Sequence, residues 1–147
     1  MRSPARLRPA RLWHVPRLVA ILRATSRARA AWVDARLIAK AVARGWVRVV
    51  CDHRGVAGFS IRDGARLHAL YVDPRRRGQG LGQMLLTEAK RAAGRLDLWV
   101  IQRNRGARRF YARSGFAEKA RVPQGGGNDE NLPDILMVWP PERRVER

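Results

Sequence analysis

Residues 75–82 read Arg-Arg-Arg-Gly-Gln-Gly-Leu-Gly. Gly78, Gly80 and Gly82 alternate with single residues, after three arginines and before an amphipathic run. A chain that passes through glycines into a helix presents unsatisfied backbone N–H groups at the helix start, with the positive end of the helix dipole behind them. Such a terminus seats a phosphate without special side chains, and glycines leave room for phosphate oxygens to reach the amides. Arg75, Arg76 and Arg77 are candidates for charge-assisted contacts to the same anion. The dinucleotide fingerprint needs G-x-G-x-x-G, whereas the spacing here is G-x-G-x-G and no acidic residue ends the next strand. A Walker loop needs Gly-Lys-Ser/Thr, which is absent. Taken alone, the turn fits a phosphate seat and a basic loop without a ligand equally well. Cys51, the single cysteine, can form no internal disulfide and has no activating histidine beside it, so it reads as a core or edge residue.

The elements around the turn follow from periodicity. An extended piece over 5–11 is followed by a helix over 12–26, with an apolar stripe at Val15, Leu18, Val19 and Leu22. A second helix over 34–44 takes Asp34 as its N-cap and stops at Gly45. Three β-branched or aromatic runs (45–52, 55–63, 66–74), separated by short turns, predict antiparallel strands. After the glycine turn comes a helix over 81–94, with Leu81, Met84, Leu85, Ala89 and Ala92 on one face. A strand over 95–104, a short helix over 104–115, a strand over 116–122, a loop over 123–133 and a last strand over 134–140 complete the chain. The order β α α β β β α β α β β predicts an α/β fold with a mixed sheet, in one domain spanning 1–147 whose tail, 141–147, frays. Strand 66–74, the turn, helix 81–94 and strand 95–104 form a right-handed βαβ unit with parallel strands.

Formal net charge is +19, and only Lys40, Lys90 and Lys119 are lysines, so arginine carries it. This favours an anionic partner: nucleic acid, a phosphorylated cofactor or a membrane surface. The arginines are scattered through every segment, which a coding preference for arginine over lysine also explains. Residues 1–33 hold no acidic residue and so have the composition of a transit peptide, but they carry the helical stripe described above and read as folded structure. No apolar run is long enough to span a membrane, and one cysteine fits a reducing, cytoplasmic setting.

The turn lies between Leu-Tyr-Val-Asp-Pro (70–74) and Leu-Gly-Gln-Met-Leu-Leu (81–86), and Asn104, Ala107, Phe110, Tyr111, Gly115 and Phe116 form N-x-x-A-x-x-F-Y-x-x-x-G-F. In these features the chain resembles the Gcn5-related N-acetyltransferase (GNAT) family, whose Arg/Gln-x-x-Gly-x-Gly/Ala signature matches Arg75, Gly78 and Gly80. The resemblance is sharp over about 67–116 and extends as element order over about 5–140. It implies a GNAT-like domain with splayed, parallel fourth and fifth strands and helices on both faces. It also implies acetyl-coenzyme A as acyl donor, no metal, and direct transfer of acetyl to a primary amine of a small molecule or protein. The pyrophosphate would lie on amides across Arg76, Arg77, Gly78, Gln79, Gly80, Leu81 and Gly82. Leu70 and Val72, flanking Tyr71, would pair with the pantetheine amides, and a backbone N–H there would face the oxyanion. Asn104, Ala107 and Phe110 would flank the cofactor.

Within that resemblance Tyr111 matches the general acid, since a phenol stays protonated at neutral pH. Many relatives place a glutamate base on the fourth strand; none stands here. His68, taken to share the face of Leu70 and Val72, is a candidate base beside its reading as a packing residue. Asp129, Glu130 and Asp134 precede or begin the last strand, close in this fold to the acceptor mouth, where carboxylates would attract a cationic amine. The competing readings are a nucleic-acid- or ribosome-associated basic module, with Arg103, Arg105, Arg108, Arg109 and Arg113 crowded together, and a coenzyme-binding pseudo-enzyme. A monomer and a homodimer through the last strands both fit.

Overall fold

Val49 and Val50 are neighbours on one strand, and both are fully buried. They belong to different apolar clusters, so the sheet is covered on both faces. The computed structural model describes residues 5–25, 31–123 and 133–141. Within these, strands β1 (Arg6–Pro9), β2 (Val47–Asp52), β3 (Gly55–Asp63), β4 (Arg66–Val72), β5 (Leu96–Ile101), β6 (Ala117–Val122) and β7 (Asp134–Trp139) form one sheet. Their spatial order is β1-β2-β3-β4-β5-β7-β6. All neighbours are antiparallel except β4 and β5, which run parallel. The predicted element order and mixed sheet are those observed.

Helices α1 (Val15–Thr25) and α2 (Ala31–Ala43) cover one face. Leu18, Ile21, Ile38, Ala41 and Val42 pack there on Val47, Val49 and Phe59. Helices α3 (Leu81–Ala93) and α4 (Arg105–Arg113) cover the other. There Leu86, Ala89 and Tyr111 meet Leu67, Leu98, Ile135 and Met137, while Leu81 and Leu85 meet Val50 and Ala57.

The differences from the sequence expectations are local. Residues 12–14 form a 3₁₀ turn, and α1 begins at Val15 with Leu18 and Ile21 as its buried centre. Helix α2 begins at Ala31, so Asp34 is not an N-cap but a buried residue of the first turn. On α3 the buried line is Leu81, Leu85, Leu86 and Ala89, and Ala92 is exposed. Strand β5 ends at Ile101, and Asn104 instead caps α4, its Oδ1 accepting from the Ala107 amide at 3.2 Å.

Candidate active site

The two parallel strands touch at one register position, Arg66 opposite Asp97. An Arg66–Asp97 ion pair and the Asp97 amide on the Ala65 carbonyl close that point. Beyond it β4 keeps to β3 while β5 turns to β7, and a V-shaped gap opens. The Asp73 amide donates to the Ala57 carbonyl at 2.7 Å. Antiparallel alternation therefore turns the backbone groups of Tyr71 toward β3 and those of Leu70 and Val72 toward the gap.

The glycine turn stands where β4 leaves the sheet. Gly78 (φ 80°) and Gly80 (φ 74°) are both left-handed, a conformation that strains any residue with a Cβ. Gly80 is the N-cap of α3 and provides no side-chain cap, so the amides of Leu81, Gly82 and Gln83 open onto the turn. Gly82 differs: a methyl group there would meet the Phe110 ring at 3.4 Å and Val72 at 3.7 Å, ordinary contact distances, so crowding does not demand glycine at this position.

The three arginines separate. Arg75 and Arg77 are exposed. Arg76 is 8% exposed and points inward: its guanidinium donates to the Val56 carbonyl at 3.1 Å and lies 3.5 Å from Asp52. Its amide is also engaged, donating to the Asp73 carbonyl. The expectation that Arg76 meets a phosphate is thus corrected: it is a structural bolt beneath the turn. Arg17 of α1 joins it, donating to Asp73 at 2.6 Å and to the Val56 carbonyl at 3.2 Å. The Arg75 amide, then Arg17 and Arg76, hold the Asp73 carboxyl below the usual range against the opposing effect of burial.

A cavity of about 550 Å³ joins the gap to the space under α2. Leu70, Tyr71, Asn104, Ala107 and Tyr111 line one end, while Asp34, Leu37, Ile38, Trp46 and His68 line the other, with Asp134 also on its wall. Tyr111 is 9% exposed, edge-on to Phe110 and Phe116. Burial, and secondarily the phenol of Tyr71, push its hydroxyl above the ordinary tyrosine value.

His68 is not where simple alternation puts it. Ile61 faces Ala69 while Arg62 faces Leu67, so His68 is the extra residue of a β-bulge. The bulge takes His68 off the face shared by Leu70 and Val72. It is exposed and stacks on Trp46 at 5.9 Å, with Arg44 4.9 Å over that same indole. Asp129 and Glu130 lie outside the described residues. Asp134, the first residue of β7, is 1% exposed and directly opposite Ile101. Asp34, 4% exposed, is the wall residue that sequence reading missed, because an aspartate before a helical stripe signals a cap. The Cys51 thiol is half-buried, and that burial pushes its pKa up, as suits an unreactive residue.

A family profile described as an acetyltransferase (GNAT) domain matches residues 30–118. The uncharacterized N-acetyltransferase MJ1207 of Methanocaldococcus jannaschii is 40% identical over 79 residues, which are 50% of this chain and 35% of that protein. The peptidyl-lysine N-acetyltransferase YjaB of Salmonella typhimurium is 38% identical over 76 residues, 52% of either chain. The matches thus span about a third to a half of these relatives' length. Among solved structures, the apo form of YjaB from Escherichia coli superposes with a TM-score of 0.76 at 24% identity, covering 93% of this chain and 98% of that one. The PaiA N-acetyltransferase of Thermoplasma acidophilum, solved with coenzyme A, gives 0.72 at 17% identity over 92% of this chain and 98% of that one. At these identities the superpositions establish the fold, and among the described residues no helix is long and apolar enough to cross a membrane. The profile spans more than half of the sequence, and on that match the chain belongs to the GNAT acetyltransferase family.

Proposed function

We propose that the protein is an N-acetyltransferase that moves an acetyl group from acetyl-coenzyme A directly to a primary amine. The observation that carries this reading is the gap between β4 and β5, which opens beside a left-handed glycine turn at one end and into a cavity bearing Tyr111 at the other. The amides from Arg77 to Gly82, with the exposed Arg75 and Arg77, would hold the pyrophosphate. Leu70 and Val72 would hydrogen-bond the pantetheine arm through their gap-facing backbone groups, beside Asn104 and Phe110.

The attacking amine must arrive neutral, the tetrahedral oxyanion needs a donor, and the departing thiolate gains from a proton. A backbone N–H of the splayed β4 suits the second need. Tyr111 suits the third, because burial keeps its phenol protonated. The amine nitrogen bonds to the acetyl carbon, the carbon–sulfur bond breaks, Tyr111 hands its proton to sulfur, and the proton shed by the nitrogen returns to the Tyr111 phenolate through water. His68 is solvent-facing on its bulge, so a role as base would run through water.

Release of free coenzyme A thiol over a broad amine panel tests this directly. Amine-dependent release is expected. Coenzyme A binding without transfer to any amine would establish the pseudo-enzyme reading instead. Salt-sensitive RNA binding without coenzyme A binding would establish the basic module.

A further inference from the structure

The charges around the cavity divide by depth. Asp34 and Asp134 on its wall are buried and engaged within the protein, Asp34 facing Arg23 at 3.7 Å and Asp134 having a partner of its own. Neither reaches solvent. The charged groups that line the cavity and are exposed are Lys40 and Arg44, on and just beyond the last turn of α2. Among the described residues neither of these two pairs with a carboxylate. The mouth of the cavity is therefore cationic, although its depth holds two aspartates.

Contacts from three elements fix this rim. The Arg44 guanidinium lies 4.9 Å over the Trp46 indole, and the His68 ring stacks on the same indole at 5.9 Å. His68 reaches that place because the bulge in β4 takes it out of alternation. Trp46 and His68 line the cavity together with Lys40 and Arg44. A basic last turn complements the dipole of any helix. That effect alone does not bring both cations to one cavity, nor seat one of them on an aromatic stack. Inward of the rim the walls are apolar, with Leu22, Ile38, Phe59 and Ile61, and Tyr111 lines the far end. In a chain of net charge +19 an anionic ligand is drawn in at long range, and the rim gives it a local counter-charge.

We infer that the acceptor carries an anionic group, held apart from its amine by an apolar body, and that Lys40 and Arg44 at the cavity mouth select for it. This rests on the acetyltransfer reading. The amine lies inward toward Tyr111, the apolar body along the wall, and the anion at the rim against Lys40 and Arg44. Both are specificity residues: they act on acceptor binding and touch neither the thioester nor the transferred acetyl group.

The test is steady-state transfer from acetyl-coenzyme A to para-(aminoethyl)benzoate and to its neutral carboxamide, which share the amine and the ring. The parent is expected to show a KM about fivefold lower for the carboxylate. Lys40→Met and Arg44→Met should each raise that KM about two- to threefold, and the double variant should erase the preference. The KM values for the carboxamide and for acetyl-coenzyme A should hold. Arg44→Lys should keep the preference, and added salt should shrink it in the parent, because exposed charges are screened. A peptide pair, acetyl-Asp-Lys-amide and acetyl-Asn-Lys-amide, separates a small-molecule carboxylate from an acidic side chain beside a lysine; a preference in either pair supports the inference. Equal KM values within both pairs, or Met variants that damage acid and amide probes alike, would overturn it while thiol release stands. Should Arg44→Met fail to fold, Lys40→Met and the salt series still decide it. No thiol release with any amine would overturn the acetyltransfer reading itself, and the inference with it.

Discussion

The glycine turn and the cavity beyond the β4–β5 gap are built in opposite ways. The turn is contiguous in sequence: Arg75 to Gly82 supplies its backbone geometry, and its left-handed glycines are fixed by local sterics. The cavity collects Asp34 from the first turn of α2, His68 from a bulge, Tyr111 from α4 and Asp134 from the head of β7. A contiguous site keeps its chemistry visible in the sequence and tolerates no change in backbone shape. An assembled site varies one wall at a time. Under the proposed function, that division lets acceptor choice change while donor binding stays.

The sharpest break in this comparison is expected from Arg76, which supports the turn without facing its ligand. Arg76→Met leaves Asp52 and the Val56 carbonyl without their buried cation. It should cost about 3 kcal/mol in a denaturant melt, with a matching loss of coenzyme A binding by calorimetry. Arg77→Met, on the exposed side, should leave the melt unchanged. Next in size is Tyr111→Phe, expected to lower kcat about 100-fold with little change in either KM. An equal fall in kcat and in thermal stability would reduce Tyr111 to a packing residue.

Smaller still is Gly80→Ala. The left-handed backbone strains a Cβ by about 1–2 kcal/mol, so the KM for acetyl-coenzyme A should rise about tenfold while the acceptor KM holds. The same separation should appear in pH. Asp73 has a folded pKa below its unfolded one, so its stabilisation is fully present above the ordinary carboxylate value and is lost as pH falls through the depressed one. The stability gap between parent and Asp73→Asn should therefore be widest near neutrality and shrink in acid, as chemical denaturation at several pH values would show. Smallest is His68→Ala. Because His68 stacks on Trp46 in solvent, the substitution should change the acceptor KM only a few-fold and leave the pH profile of kcat intact.

The same contrast explains what the sequence made legible. Element order was readable throughout, because the shift from helical to alternating periodicity at Gly45 and back at Leu81 is local. Gly78, Gly80 and Tyr111 were found from their motifs. Arg76 looked equivalent to Arg75 and Arg77, because only the approach of β2 and β3 gives it Asp52 and Val56 as partners. Simple alternation puts His68 on the wrong face because a bulge is set by pairing with β3, which no single strand displays. Asp34 has the sequence signature of a cap because its burial depends on α1 returning against α2.

The most direct measurement is amine-dependent release of coenzyme A thiol by the parent protein beside Tyr111→Phe and Gly80→Ala. The account predicts release by the parent, a kcat defect confined to Tyr111→Phe and an acetyl-coenzyme A KM defect confined to Gly80→Ala. Release that is equal in all three proteins, or absent from the parent, would contradict it.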